Sequence, residues 1–107
     1  MRRGDIFSVI LAAELGKPRP ALILQSDLFC DLPSITVIPL TSTLIDAPLI
    51  RLPLEVEEVE GLRKPSQLMI DKVSTVSRSR IGQRIGRVDE KTMARATRAV
   101  AFFLGVA

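Results

Sequence analysis

The side chains available for catalysis in this chain are few in type. Its 107 residues include no histidine and a single cysteine, Cys30, so a histidine relay and a histidine-activated thiol are excluded. The sequence also has no Gly-rich phosphate loop ending in Lys-Ser/Thr, and no carboxylates at metal-ligand spacing. Arginine, lysine, acidic residues, serine and threonine remain. These suffice for one cofactor-free reaction, the attack of an RNA 2′-hydroxyl on its neighbouring phosphate, because the protein need only orient the groups and neutralise the developing charge.

Arg19 is the first candidate for binding a phosphate. It lies between Pro18 and Pro20 in "GKPRPALILQ", Gly16 to Gln25, where a turn leads into an apolar run. The planar guanidinium can hold two phosphate oxygens at once, and the flanking prolines limit the entropy of the backbone. The alternative is a surface arginine whose stem covers apolar side chains without binding a ligand.

Thr41 is the second candidate, because it directly follows the apolar run "ITVIPL", Ile35 to Leu40. A hydroxyl at the end of a strand can donate to a phosphate oxygen or fix a turn. Ser42 and Thr43 come next, so these residues alone leave open which hydroxyl would contact a ligand.

The charge of the chain favours an anionic partner. A net charge of +3 and an isoelectric point of about 9.6 are typical of proteins that bind nucleic acid or an acidic protein. Four arginines within ten residues form either a track for an RNA backbone or a solvated charged edge: Arg78, Arg80, Arg84 and Arg87. The carboxylates of Glu55 to Gly61 would repel RNA, so we expect that segment to lie away from an RNA-binding groove.

Short strands and one helix must position these residues. The alternation of apolar residues predicts strands at Asp5–Ala12, Ala21–Gln25, Ile35–Leu40, Leu49–Glu57 and Gln67–Val76, and a last short strand within residues 78–88. A turn at Ala13–Pro20 joins the first two strands, and Ser26–Ser34 has room for a short helical turn.

The C-terminal region changes to a helical period. Asp89 is a suitable N-cap, Gly105 a suitable end, and the inward face is predicted to consist of Met93, Ala96, Val100 and Leu104. Strands followed by one helix indicate a mostly β (α+β) fold, a small antiparallel barrel with the helix packed on it, in a single domain of residues 1–107. With only 4% aromatic residues, the core must be aliphatic.

Neither a secretion signal nor a membrane span is predicted. The apolar start is interrupted early by Asp5 and Ser8, and no apolar run approaches the roughly 18 residues that a membrane-spanning helix requires. We therefore expect a soluble, cytoplasmic protein. Cys30 cannot form an intramolecular disulfide and is interpreted as a buried or half-buried apolar residue.

Several motifs in a fixed order resemble one known family. "RRGDIF", "KPRPALILQSD", "ITVIPLTS" and "QLMIDKVSTVSRSRIGQRIGRVDE" are followed by the closing helix, and together they span nearly the whole chain. The most specific parts are the Arg-Pro before the second strand, the Pro-Leu-Thr after the third and the acidic residue in the fifth. In this order they look like the MazF/Kid (PemK-like) family, the toxin endoribonucleases of type II toxin–antitoxin systems.

The resemblance implies both a fold and an activity. The fold would be the SH3-like barrel of the CcdB/MazF/Kid type, assembled as a homodimer. The activity would be metal-independent, sequence-selective cleavage of single-stranded RNA, mRNA in particular, which inhibits translation and growth. The products would be a cyclic phosphate and a free 5′-hydroxyl. No cofactor is implied, and the expected partners are single-stranded RNA and a cognate acidic antitoxin.

The resemblance also suggests roles for individual residues. Arg19 would stabilise the phosphorane, Thr41 would hydrogen-bond the phosphate, and Asp71 would be the general base, with a structural salt bridge as its alternative. The Kid branch has an arginine two residues before the base, where this chain has Met69. We predict RNA contacts from Lys17, Ser42, Lys72, Arg78, Arg80 and Arg84.

Two other functions are compatible with the same fold. One is a CcdB-like inhibitor of DNA gyrase, but the tryptophan that carries that activity has no counterpart, since the chain has no Trp. The other is a barrel that binds RNA or a partner without cleaving, which Met69 in place of arginine leaves open.

Overall fold

The computed structural model describes residues 1–11 and 16–107. Within these ranges the strands are β1 (Asp5–Ile10), β2 (Pro18–Ile23), β3 (Ser34–Thr41), β4 (Arg51–Leu54), β5 (Ser66–Met69), β6 (Ser74–Ser77) and β7 (Ile81–Arg87), and the helix α1 spans Glu90–Leu104. The predicted end of the first strand at Ala12 and the first part of the predicted turn, Ala13 to Leu15, lie outside the described residues. No helix in the described part of the chain has the length and apolar character needed to cross a membrane.

The strands form one antiparallel sheet. Its order is β4-β5-β3-β2-β1-β7, with β6 pairing to β3 beside this path. The predicted mostly-β fold with a C-terminal helix is confirmed. The hydrogen-bonded path is not closed between β4 and β7, although an isolated bridge joins Glu60 to Arg87.

The predicted strand Gln67–Val76 is wrong in one respect, because it is two strands. β5 pairs with Leu40 and Thr41 at the end of β3, whereas β6 pairs with Ser34 to Val37 near its start. The second register is offset from the first by three residues, and the three residues of a 3-10 turn, Ile70–Lys72, take up the difference. No glycine or proline within residues 67–76 marks this break in the sequence.

The core is aliphatic, as predicted, and lies on both faces of the sheet. On one face, the side chains that pack with Ala96 and Val100 of α1 include Ile6, Leu22, Ile38, Leu68 and Ile70. The second cluster consists of Val9, Ala21, Ile23, Ile35, Val37 and Val76. β2 and β3 contribute alternate residues to the two clusters, which is why their apolar runs have few interruptions.

Helix α1 begins and ends as predicted. The Asp89 carboxylate accepts a hydrogen bond from the backbone N–H of Thr92 at 2.8 Å, and this bond, first among several causes, lowers the pKa of Asp89. Gly105 ends the helix in the left-handed conformation, with φ of 77°. The prediction that Leu104 is buried is wrong, since 58% of it is exposed. The last turn of α1 extends beyond the core, whose C-terminal member is Val100.

A buried carboxylate connects β1 to β7. Asp5, only 5% exposed, accepts hydrogen bonds from Arg87 Nη1 at 2.7 Å, from the Arg2 backbone N–H at 2.9 Å and from Arg84 Nε at 3.4 Å. Burial by itself raises the pKa of Asp5, but these donors outweigh it, so the pKa is lowered.

The unequal burial of two helix residues leads to the first prediction. Val100→Ala is expected to lower the free energy of unfolding by about 2 kcal/mol, because it removes two buried methyl groups and leaves a cavity. The control Leu104→Ala should change it by less than about 0.5 kcal/mol, as is usual for an exposed position. Urea unfolding measures both. An equal decrease in the two variants would contradict this difference in burial.

The second prediction concerns Asp5 and pH. Asp5→Asn should lower the free energy of unfolding by about 1.5–3 kcal/mol at pH 7, the usual range for hydrogen bonds to a charged group. Because the folded state lowers the pKa of this carboxyl, its stabilisation is present above the unfolded pKa of about 3.9 and disappears as the pH falls through the lower folded value. Urea unfolding between pH 7 and pH 2 should therefore show the difference between wild type and variant shrinking in acid. A constant difference would refute this account.

Candidate active site

A cavity of about 560 Å³ opens where β2 begins and β3 ends. It brings together four of the residues predicted to act on RNA: Arg19, Thr41, Ser42 and Lys72. Residues from the segment between β4 and β5 also line the cavity, among them Leu62, Arg63 and Lys64. The cavity is therefore built by elements far apart in the sequence.

The pairing of β2 with β3 determines the position of Arg19. Ala21 lies opposite Pro39 and Leu22 opposite Ile38. The same register, continued for two residues, brings Arg19 level with Thr41. The prediction that Arg19 lies in a turn is wrong: it belongs to β2, because the pairing with β1 already starts at Pro18. Its side chain is exposed at the cavity.

The Thr41 hydroxyl fixes the turn after β3. Its oxygen accepts a hydrogen bond from the backbone N–H of Thr43 at 3.1 Å. A hydroxyl has one hydrogen to donate besides its acceptor positions, so this bond orients Thr41 without using its donor. Both functions considered for this hydroxyl are thus compatible with the geometry.

A buried glutamine holds the loop that follows Thr41. The Gln67 side chain on β5 donates to the carbonyl of Ile45 at 2.9 Å and accepts from the Ile45 N–H at 3.2 Å. This pair of bonds connects the loop to the sheet and fixes the rim of the cavity. Sequence reasoning missed this residue, and the only signal for it is a polar side chain at the start of an apolar strand.

Asp71 forms an ion pair with Arg51. The two side chains are 26% and 10% exposed, and the Arg51 guanidinium donates to the Asp71 carboxylate. Asp71 does not line the cavity in the described part of the chain, although its neighbours Met69 and Lys72 do. The salt bridge considered from the sequence is therefore present, and the role of Asp71 as a base stays a prediction.

The other predicted RNA-binding cations lie apart from the described cavity lining. Arg84 pairs with Glu60 at 2.9 Å and with Asp5 at 3.4 Å. Arg78 donates to the carbonyl of Leu32 at 3.2 Å. Lys17 and Arg80 are exposed. Their contacts with RNA stay predictions.

The acidic segment is closer to the cavity than expected. Gly61 forms part of the lining, whereas Glu55–Gly61 was expected to lie away from any groove. The reason is a close contact between two backbones: a Cβ on Gly61 would lie 2.1 Å from the Ile85 oxygen, and one on Gly86 would lie 1.8 Å from the Glu60 oxygen. The sequence pattern does not reveal this contact. Its only indication is that each glycine precedes a segment that contains cations.

The arrangement can bind an anion and stabilise charge that develops on it. The cationic side chains in the lining are Arg19, Arg63, Lys64 and Lys72, and no Asp or Glu of the described residues is among them. The Thr41 hydroxyl adds a neutral donor. Cations and donors around a concave site are the usual means of stabilising a phosphoryl transition state.

Comparisons with known proteins agree with this fold. The family model for the PemK-like, MazF-like toxin of type II toxin–antitoxin systems matches residues 2–104. A protein named probable endoribonuclease MazF, from Mycolicibacterium smegmatis, is 49% identical over 108 residues, which cover 100% of this chain and 99% of that protein. The structure of the Mycobacterium tuberculosis toxin MazF-mt6 has a TM-score of 0.82 at 25% identity, with 96% of this chain and 98% of that chain covered.

A more distant structure shows the same fold. A MazE–MazF crystal structure from Deinococcus radiodurans has a TM-score of 0.80 at 18% identity and covers 100% of this chain and 97% of that one. Together with the family match over residues 2–104, these comparisons establish that the chain belongs to the PemK-like, MazF-like toxins of type II toxin–antitoxin systems.

Proposed function

We propose that this toxin is a sequence-selective endoribonuclease that cleaves single-stranded RNA, mRNA in particular, by attack of a 2′-hydroxyl on the adjacent phosphate. The observation that carries the proposal is the cavity in which Arg19 and Thr41 lie together among cationic side chains. The name of the relative at 49% identity, probable endoribonuclease, supports the same activity here. Cleavage of mRNA would inhibit translation and growth.

The proposed step needs only groups that the RNA and this chain supply. The 2′-oxygen forms a bond to phosphorus while the bond from phosphorus to the 5′-oxygen breaks, which gives a cyclic phosphate and a 5′-hydroxyl. Arg19 binds the non-bridging oxygens and stabilises their extra charge, and Thr41 donates a hydrogen bond to one of them. Because a guanidinium hardly deprotonates, and because Met69 has no proton to give, solvent supplies the proton of the 5′-oxygen.

Asp71 is proposed as the general base that takes the proton from the 2′-hydroxyl. About a quarter of its side chain, 26%, is exposed, and the cavity is lined by Met69, two residues before it, and by Lys72, which follows it. The Arg51 guanidinium then holds the carboxylate in one orientation.

An acidic antitoxin is proposed as the protein partner. A structure of an endoribonuclease in complex with its cognate antitoxin from a mycobacterial species has a TM-score of 0.79 to this chain at 19% identity. An acidic segment fits the cations of the cavity by the same charge complementarity as RNA, so the two would compete. We also propose that the toxin is a homodimer, as the family resemblance implies.

The third prediction tests the role of Arg19. In a cleavage assay with a mixed-sequence RNA and EDTA, Arg19→Ala should lower kcat by roughly 10²–10³-fold, the usual effect of removing one group that stabilises the transition state. Its melting temperature should not change. Arg98→Ala, an exposed arginine on α1, is the matched control and should cleave like wild type. The products should carry cyclic phosphate ends. Intact RNA with folded wild-type protein would instead favour a binding module or a gyrase inhibitor.

The fourth prediction separates the two roles of Asp71. Asp71→Asn should lower kcat by about 10²–10⁴-fold if the carboxylate accepts the proton. Arg51→Gln leaves the carboxylate and removes only its partner, so it should retain much of the rate. Wild-type kcat in Asp71→Asn together with a lower melting temperature would assign Asp71 to the ion pair alone.

A further inference from the structure

Arg63 and Lys64 are cations of the cavity that no sequence motif singles out. Both are exposed, and both line the cavity together with Thr41 at the end of β3. Within the described part of the chain, neither side chain forms a salt bridge or a hydrogen bond. This distinguishes them from Arg84 and Arg87, whose guanidinium groups pair with carboxylates. Their charge is therefore available to a ligand.

The backbone that carries Arg63 and Lys64 is fixed on both sides. Before them, Gly61 adopts φ of 83° and packs against the backbone of Ile85 and Gly86, and the Leu62 N–H donates to the Val59 carbonyl at 3.2 Å. After them, the Ser66 hydroxyl donates to the Lys64 carbonyl at 3.0 Å. Two exposed cations on a restrained backbone lose less entropy on binding than cations on a free loop.

The composition of the cavity favours contacts with phosphates over contacts with bases. No aromatic side chain is among its described lining residues, so base stacking on rings, which holds single strands in many other proteins, has no platform there. A volume of about 560 Å³ lies within the range of sites that enclose drug-sized ligands, and so exceeds what a single phosphodiester fills. Cations of the cavity other than those at the scissile phosphate can therefore contact a neighbouring phosphate of the RNA.

We propose that Arg63 and Lys64 bind the RNA phosphate next to the scissile one and so position the strand for cleavage. The proposal rests on the proposed ribonuclease function. In it, Arg19 and Thr41 act on the reacting phosphate, and Arg63 and Lys64 are positioning residues that contact an unreactive phosphate.

The fifth prediction follows from this division. The double variant Arg63→Ala/Lys64→Ala should raise KM by roughly 10-fold with kcat nearly unchanged, because the contact is equally strong before and during the reaction. The slope of log(kcat/KM) against log salt should become shallower by about 0.7 for each phosphate that the variant no longer neutralises. Lys91→Ala/Arg98→Ala removes the same charge from exposed positions on α1 and should leave KM and the salt slope as in wild type.

RNAs in which one phosphate is replaced by an uncharged group identify the phosphate that Arg63 and Lys64 contact. Two short RNAs are prepared that carry one methylphosphonate, either on the 5′ side or on the 3′ side of the scissile phosphate. One of them should raise KM for wild type and for Lys91→Ala/Arg98→Ala, but should cause no further rise in Arg63→Ala/Lys64→Ala. The melting temperatures of both double variants, measured alongside, should equal that of wild type.

The outcomes separate this inference from the function on which it rests. Arg19-dependent cleavage with wild-type KM in Arg63→Ala/Lys64→Ala would overturn the phosphate contact and leave the ribonuclease intact. Additive effects of the methylphosphonate and the double variant on KM, at both substrate positions, would also overturn it. Absence of cleavage by wild type would overturn the function and the inference together.

Discussion

The register between β2 and β3 is the constraint on which the site depends. Their apolar residues alternate between two cores, so a slip by one residue would move each set of side chains into the core that is packed around the other set. The same register brings Arg19 level with Thr41 at the strand ends. Burial of Leu22 and Ile38 therefore fixes the relative position of two polar side chains that are themselves near solvent. The strand pairing alone therefore brings the two residues of the proposed phosphate site together.

A second constraint holds the segment between β4 and β5 that lines the cavity. The sheet is open between β4 and β7, and the backbone contact of Gly61 with Gly86 lies at this opening. Any side chain at either glycine would overlap a carbonyl oxygen, so the two residues allow the segment after β4 to approach β7. The approach brings Arg63 and Lys64 to the cavity. The groups proposed to act in catalysis and in positioning are thus held by two separate features, the register of two strands and the packing of two glycines.

The local sequence pattern predicts those strands and the helix whose residues carry a regular apolar period or capping residues. The strands around Ile6, Leu22 and Ile38 and the helix from Asp89 to Gly105 follow from alternation, helical period and capping residues. Features that depend on tertiary placement do not follow from it. These are the break at Ile70–Lys72, which takes up a register offset on β3, and the exposure of Leu104 one turn beyond the core. In the site, Arg19 and Thr41 can be identified from the sequence, because the ends of strands are visible in it. Arg63 and Lys64 reach the cavity through a backbone contact, which the sequence does not reveal.

The sequence does not show which cations are paired with carboxylates, and the structure identifies several of these pairs. The clustered arginines near β7 are the strongest basic signal, but Asp5 and Glu60 bind Arg84, and Asp5 also binds Arg87. Asp71 binds Arg51 in the same way. These carboxylates neutralise cations outside the described lining, while the lining itself contains Arg19, Arg63, Lys64 and Lys72. The described lining therefore groups four cations with no carboxylate among them, which favours an anionic ligand there. The placement of cations and carboxylates in the fold, and not the net charge alone, thus determines where an anion can bind.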